Sequence, residues 1–591
     1  MLNILLGYRE DYFNWAGAKI GYVLPEVSCY QIQNQCVMSK NLTALAARKG
    51  KGLTNNLFER IAHLAEENGT PNPEALRQIA DEFLVGNANV YGTTTFYDFT
   101  KPDHQGKKVY VCNGSACMLA GTQTAVREAL MQHFQPEAIG EMCCLGRCHE
   151  NGAFHFNGQN YSALPAEGIG SILDGAAEAA GTDAYRVAAL GTPVLTAPFP
   201  TLKDCREVII NMLRETPAVL LQSIRESGLR GRGGAGFPMA FKLEACRKAE
   251  GSPKFIVCNA DEGDPGAFSD RYLMEQQPLA VLLGMLIAGY AAGAERGVIY
   301  IRAEYPESIN IIQEAIGELT EAGLNGAHLL GSDFSFHFKL IKAQGAYICG
   351  EETALLQSIE GKRPEVRVRP PYPAQEGLFG KPTVVNNVET LANLYYIIAN
   401  GGAAFAQIGT QRSSGTKLLS LDSAFNRPGL YEVDMGTPLA QVVETLGGGF
   451  RRPVKALHIG GPLGGLVPVH KIPDLTIDFE SFAENGFLLG HASIIGIPEE
   501  YPMVQYLEHL FAFTAHESCG KCFPCRIGSV RGQELLHKAQ HESYQIDTTL
   551  FNDLVETLAK GSLCALGGGI PLPVRNAMLY FKAELSPYFK E

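Results

Sequence analysis

Eight of the fifteen cysteines fall into two sets of four, and any fold of this chain must bring each set to a single point. The first set is Cys112-x4-Cys117 followed by Cys144-x3-Cys148; the second is Cys519-x2-Cys522-x2-Cys525 followed by Cys564. Four thiolates suit a [2Fe-2S] or a [4Fe-4S] cluster, whose irons are held by cysteine sulfur. In the second set, C-x2-C-x2-C puts three sulfurs on one tight loop, and a remote cysteine closes the site. Gly520 and Pro524 are expected to keep that run out of a regular helix. Structural zinc accepts the same four ligands, so spacing alone leaves both metals open. The doublet Cys143-Cys144 makes the third ligand of the first set ambiguous, and Cys144 fits the x3 spacing better. Cys29, Cys36, Cys205, Cys246, Cys258 and Cys349 read as ordinary buried or surface thiols.

Clustering of this kind points to metal or redox chemistry in a reducing cytosol and away from a disulfide framework. The opening MLNILLGYREDYF has neither the basic start nor the long apolar run of a secretory signal. No uninterrupted apolar stretch reaches the ~18 residues of a membrane span. A net charge of −13 argues against a nucleic-acid surface, which needs clustered Lys and Arg. At 591 residues the chain has length for several cores. Met38 opens MSKNLTALAARKGKG, which reads as an ordinary soluble N-terminus, so residues 1–37 are expected to be dispensable or untranslated.

Leu57, Ile61 and Leu64 share one helical face, ended by Gly69, Pro71 and Pro73, and Leu76, Ile79 and Phe83 share a second. KKVYVCNG reads as a short strand entering the first cysteine loop. A helix follows through Ala125 to Phe134, and CCLGRC is the second loop. The stretch GAAEAAGTDAYRVAALGTPVLTAPFP has the composition of a linker. Beyond it strands alternate with helices to about residue 410, with FIVCNA, GVIYIRAEY and GAYIC as buried-strand runs. Residues 415–465 read strand, turn (Asn426 to Gly429), strand, helix, strand, similar to a small β-grasp module. From about residue 500 the chain reads as mostly helical.

In SGLRGRGGAGFPMAFK, Gly231, Gly233 and Gly236 match G-x-G-x-x-G. A Rossmann fingerprint needs a strand before the loop, a helix after it and an acidic residue about 20 positions on. The preceding PAVLLQSIRESG instead shows helical spacing through Val219, Leu220, Ile224 and Leu229, so the Rossmann reading fails on context. Such glycines still let backbone N–H groups approach a phosphate or a flat ring. FIVCNA brings Asn259, Asp261, Glu262 and Asp264 to its carboxyl end, and GAYIC is expected to deliver Gly350, Glu351 and Glu352 to a helix start. Ligands of open α/β sheets sit at such strand ends. One acidic pair at a helix start merely favours the dipole. Two acidic turns, a glycine loop with cations, and Asn386-Asn387 in one domain point further, because asparagine can both donate to and accept from a flavin's edge.

The stretches RGRGGAGFP, CNADEGDPGAFSDR, GAYICGEETALLQSIEGKR, GKPTVVNNVETL and ESCGKCFPCRIGS resemble the NADH-binding flavoprotein subunit of respiratory complex I and its soluble relatives. The resemblance runs from about residue 205 to the end. Residues 55–180, with CNGSAC and CCLGRC, resemble the thioredoxin-like [2Fe-2S] subunit of the same complexes, fused in front. The resemblance implies an α/β multidomain chain. Its expected parts are an unassigned extension (1–50), a helical plus thioredoxin-like [2Fe-2S] domain (51–180) and a linker (181–204). A non-Rossmann FMN/NADH-binding domain (205–412), a β-grasp SLBB module (413–495) and a helical [4Fe-4S] domain (496–591) complete it. It also favours iron–sulfur clusters over zinc for both cysteine sets.

By the same resemblance, Gly231, Gly233, Lys242, Asn259, Asp261, Tyr347, Gly350, Glu351, Asn386 and Asn387 surround FMN. Arg232, Gly234, Gly236 and Thr390 complete the cofactor-binding set. Phe237 and Tyr372 are the implied aromatic faces for NAD, while Glu262, Asp264 and Glu352 are expected at its sugars. The family's second aromatic after the glycine loop falls at Ala245, which has no ring to stack. Hydride passes between NAD(H) and the flavin, so the implied chemistry requires no catalytic acid or base from this chain. The segments GSLCALGGGIPLPVRNAM and ESCGKCFPCRIGSVRG look most like the β subunit of NAD-dependent formate dehydrogenases. The implied partner is a catalytic α subunit with its own Fe-S clusters and molybdenum or tungsten, in a cytoplasmic hetero-oligomer. The diaphorase subunit of an NAD-reducing hydrogenase, or a complex I-like flavoprotein, is the alternative.

Overall fold

The computed structural model describes residues 53, 56–68, 71–83, 85–175, 185–198 and 201–591. The expectations placed on residues 1–50, Met38 among them, lie outside these. The front cysteines sit on a sheet of four short strands, β1 (Val109–Cys112), β2 (Ile139–Met142), β3 (Phe154–Phe156) and β4 (Gln159–Tyr161), in the order β2-β1-β3-β4. β1 runs parallel to β2 and antiparallel to β3. Its β-branched residues Val109 and Val111 are buried with Val126, Leu130 and Ile169 of the covering helices Gln123–Leu130 and Ala166–Leu173. Ahead of this layer the helices Leu57–Asn68 and Pro73–Phe83 close a small core through Leu57, Ile61, Ile79 and Phe83, as their spacing predicts. Within the segment read as a linker, Arg186–Leu190 forms a strand, β5.

A second sheet carries β6 (Phe255–Ala260), β7 (Arg296–Ile301), β8 (His337–Lys342) and β9 (Thr383–Asn387) in the order β8-β7-β6-β9, all parallel. β6 and β7 are buried along nearly their whole length, as strands covered on both faces must be. The helix Pro278–Ala292 crosses Val388–Asn400 so closely that a Cβ on Gly284 would lie 2.0 Å from the Leu391 carbonyl oxygen. Only glycine permits that approach. GAYIC is not a strand. The strand is the preceding HFKLIK, a half-covered edge whose mixed polarity masks it, and Tyr347–Gly350 forms a 3-10 turn beyond it.

The third sheet joins β10 (Thr416–Leu421), β11 (Gly429–Asp434), β12 (Val454–Ile459), β13 (Gly465–Pro468) and β14 (Ser493–Pro498) in the order β13-β12-β14-β10-β11-β5. β5 lies parallel to β11 and covers what would otherwise be an open edge, which is why this part of the linker is ordered as a strand. The C-terminal helices Met503–Glu517, Phe523–His541, Thr548–Gly561 and Pro571–Tyr580 follow. Contrary to expectation, one of these helices starts within the cysteine run: Pro524 occupies its first turn, where no N–H is needed, and Cys525 follows inside it. Among the described residues no helix is long and apolar enough to cross a membrane.

Candidate functional site

The register of β6 against β9 sets Cys258 beside Asn386 and Asn259 beside Asn387, so three amides gather at the carboxyl edge of the second sheet. Above them lies the glycine loop, which follows the helix Pro217–Glu226 and precedes Met239–Lys248. A bridge between Arg230 and Pro238 closes the loop, and Gly231 N–H donates to the Phe237 carbonyl at 2.8 Å. A Cβ on Gly233 would come within 2.8 Å of Asn387 Cβ, so glycine is required where the loop meets the asparagines. The loop's arginines are its anchors. Arg230 donates to Glu480 at 2.6 Å and to the Gly236 carbonyl at 2.7 Å, with Phe479 under its guanidinium. Arg232 is fully buried and donates to the Ser414 carbonyl at 2.6 Å, while its backbone N–H reaches Thr390 Oγ1. Both therefore tie the loop to residues beside the third sheet.

Loop, strand ends and helix starts enclose a cavity of about 940 Å³. Of the expected site residues, Gly231, Gly233, Gly236, Phe237, Lys242, Asn259, Gly350, Glu351, Glu352, Tyr372, Asn386, Asn387 and Thr390 line it. Asn259 Nδ2 donates to the Gly350 carbonyl at 2.8 Å. Glu351 caps the helix Glu352–Ile359 by accepting the N–H groups of Thr353 and Ala354, each at 2.9 Å. Lys242 Nζ is shared between Glu352 Oε2 and the Val385 carbonyl, both at 3.1 Å. At the rim, Phe237, Phe241 and Tyr372 are 51%, 62% and 56% exposed, a set of rings without cover. Phe241 and Arg369, both in the lining, were missed by sequence reasoning. Phe241 lies in the first turn of the helix that follows the loop, four positions after Phe237 and one helical turn before Ala245, and that place could have revealed it. It supplies a ring next to the place where Ala245 offers none.

Arg232, Gly234, Asp261, Glu262, Asp264 and Tyr347 are not among the lining residues. The Arg232 side chain turns the other way, as described, and Gly234 serves the loop through its positive φ of 129°. Asp261 lies beneath Gly350, with a carboxylate oxygen 3.7 Å from where a Cβ there would be, and burial holds its carboxyl well above the usual range. Glu262 and Asp264, expected at the sugars of NAD, point into protein. Glu262 accepts the N–H groups of Asp270 and Arg271 at 2.9 and 3.1 Å, and Asp264 accepts the Tyr347 hydroxyl at 2.6 Å. The acidic turn is packed under both the front layer and the third sheet, so its carboxylates need partners there.

The same turn leads to the first cysteine set, where Gly266 N–H donates to Cys148 Sγ at 3.2 Å. Cys144 Sγ lies 3.3 Å from Cys148 Sγ, accepts Gly146 N–H at 3.4 Å, and neighbours Cys112, which also meets Cys117. Cys144 and not Cys143 thus joins this set, while the Cys143 carbonyl accepts Arg302. Cys519, Cys522, Cys525 and Cys564 gather likewise, with Ser518 Oγ 3.3 Å from Cys525 Sγ. A Cβ on Gly567 would sit 2.6 Å from Cys525 Cβ, so this cradle also depends on glycine. Ala565, the neighbour of Cys564, lines the cavity. Two fourfold thiol sites with N–H donors aimed at sulfur, and a buried Asn386 Nδ2 with no hydrogen-bond partner among the described residues, fit two clusters and a ligand with a polar edge.

Fold and site together define an iron–sulfur flavoprotein of the electron-transferring kind. Residues 224–396 match the Nuo51 FMN-binding domain, residues 505–588 the NADH-ubiquinone oxidoreductase-F iron-sulfur binding region, and residues 44–177 the thioredoxin-like [2Fe-2S] ferredoxin family. The chain is 42% identical over 385 residues to the second F-type chain of NADH-quinone oxidoreductase in Rhizobium meliloti (strain 1021), covering 64% of this chain and 90% of that one. It is 32% identical over 578 residues to NAD-reducing hydrogenase HoxS subunit alpha of Cupriavidus necator, covering 92% and 93%. A crystal structure of an NAD+-reducing [NiFe]-hydrogenase in the H2-reduced state superposes with a TM-score of 0.80 at 29% identity, over 90% of this chain and 92% of that one. The chain belongs to the family that holds the F-type chains of NADH-quinone oxidoreductase and the α subunit of NAD-reducing hydrogenase, with FMN, [4Fe-4S] and [2Fe-2S] as its cofactors.

Proposed function

We propose that the cavity holds FMN between the glycine loop and the asparagine pair, with NAD(H) entering over Phe237, Phe241 and Tyr372. FMN, when bound, supplies the exchange between hydride chemistry and single-electron transfer. The chain supplies position and charge. Asn386 offers a free N–H from the buried wall, and Lys242, held by the Val385 carbonyl, brings a cation to the cavity. Glu351 is fixed by its capping bonds, so its carboxylate cannot swing into the space above. The rim rings offer flat apolar faces for a nicotinamide or an adenine. The observation that carries this reading is the shared wall: Ala565 lines the cavity while its neighbour Cys564 belongs to the second thiol set. Reconstituted full-length chain should be yellow and bleach on adding NADH under argon. A colourless protein, or a flavin that NADH does not bleach, would overturn it.

The partner we propose is the catalytic α subunit of an NAD-dependent formate dehydrogenase, in a cytoplasmic hetero-oligomer. Support comes from the likeness of ESCGKCFPCRIGSVRG and GSLCALGGGIPLPVRNAM to that enzyme's β subunit, and from a complete front cysteine set. A hydrogen-oxidising partner is the second reading, favoured by the similarity of nearly the whole chain to the C. necator subunit. Metal analysis of the native complex separates them: molybdenum or tungsten supports formate, and nickel overturns it.

A further inference from the structure

Behind the cavity runs a buried polar chain that the proposed function leaves unused. Asn387 engages both ends of its amide: Oδ1 accepts the N–H of Thr390 at 3.3 Å, and Nδ2 donates to Asp270 Oδ2 at 2.6 Å. The same Asp270 oxygen lies 3.3 Å from His491 Nε2, which is 3.6 Å from Glu262 Oε1. Asp270, Glu262 and His491 are 2%, 4% and 6% exposed. Asp270 lies in the first turn of the helix Ser269–Gln276, whereas His491 arrives from the turn just before β14 of the third sheet. Two carboxylates and an imidazole are costly to bury unless they hold one another in place. Here they do so in a line that ends on a cavity wall.

We infer that Asp270 and His491 are positioning residues for the flavin site: Asp270 orients the Asn387 amide, and His491, carried by the third sheet, holds Asp270. The inference rests on the reading that the cavity binds FMN. Turning the Asn387 amide would break both of its hydrogen bonds, at the point where the glycine loop passes so close that a Cβ on Gly233 would come within 2.8 Å of Asn387 Cβ. The third sheet thereby sets the back wall of a pocket built on the second. Asn386, with its free Nδ2, is the donor left for the ligand. Charge agrees with this arrangement. Burial lowers the His491 pKa, but Asp270 and Glu262 more than offset it and raise it to about 9, against an opposing Lys417 on β10. Asp264, on the acidic turn, also faces the imidazole.

The test titrates the deflavinated full-length chain with FMN, following flavin fluorescence, with the melting temperature of each apo variant measured in parallel. His491→Gln and Asp270→Ala should each weaken FMN binding roughly tenfold, as contacting residues in one network do. Asn387→Ala should weaken it as well, and adding His491→Gln to Asn387→Ala should cost nothing further. Independent, multiplying losses would mean that His491 acts on the fold at large, and would overturn the proposal, as would unchanged FMN affinity in both variants. Should Asp270→Ala not fold, His491→Gln decides alone, since it keeps a polar side chain of similar length. A wild-type chain that fails to bind FMN refutes the pocket reading instead.

Discussion

Replacing Glu352 by Gln tests how the site chooses its nucleotide. Glu352 Oε1 meets Arg369 at 2.8 Å and Oε2 meets Lys242 at 3.1 Å, with the three side chains only 20%, 31% and 29% exposed. The carboxylate therefore offsets one of two cavity cations, and a neutral amide in its place would strip Lys242 of its carboxylate and leave Arg369 only Glu351, 3.7 Å away. A carboxylate at an adenosine ribose accepts the 2′-hydroxyl and repels a 2′-phosphate. At about 6 Å and an effective dielectric of ~20, each unit charge on that phosphate is worth about 3 kcal/mol. Partial exposure and salt reduce this to about 1.4 kcal/mol, a factor of about ten. Glu352→Gln should therefore raise kcat/KM for NADPH about tenfold and lower that for NADH about threefold, the loss of one modest hydrogen bond. Dye-linked steady-state kinetics with both nucleotides measures the ratio. Glu351→Gln is the control: it weakens the helix cap, so both nucleotides should suffer alike. An unchanged NADPH-to-NADH ratio in Glu352→Gln would remove this residue as the discriminator.

Cys144→Ser should abolish the [2Fe-2S] resonance yet spare NADH-to-dye activity, whereas Cys522→Ser should stop electron flow to the partner subunit. Loss of flavin reduction in Cys144→Ser would show that the two modules are not separable. Glu389→Gln strands Lys417, since both side chains are fully buried, and should cost about 3–5 kcal/mol in denaturant unfolding. A change below about 1 kcal/mol would mean that the lysine finds another partner. His491 has a folded pKa of about 9 against 6.5 for a free imidazole, so the stability it gains from its proton is complete below pH 6.5 and lost as pH rises through about 9. The melting-temperature gap between wild type and His491→Gln should shrink over that window, and a constant gap would contradict it.

Local chemistry was legible wherever one segment carries it alone. The front helices, the short strand at Cys112, the choice of Cys144 over Cys143 and the helix ahead of the glycine loop all follow from spacing, because 3.6-residue periodicity and ligand geometry act over a few residues. Polarity misled at GAYIC, whose apolar run lies beneath the sheet's end, and at HFKLIK, whose charges sit on a half-covered edge. Only the tertiary structure decided where the acidic turn points. Its sequence, NADEGDPGAF, is the same whether it faces a ligand or the protein. The register of β6 against β9 places Asn259 and Asn387 in the cavity, and the packing of the front layer and third sheet turns Glu262 and Asp264 away from it. Glu262 is taken up within its own stretch, by the N–H groups of Asp270 and Arg271 at the start of the next helix, whereas the partner of Asp264, Tyr347, comes from far along the chain. For Asp264 the choice between ligand contact and buried strut depends on long-range packing that no local pattern encodes.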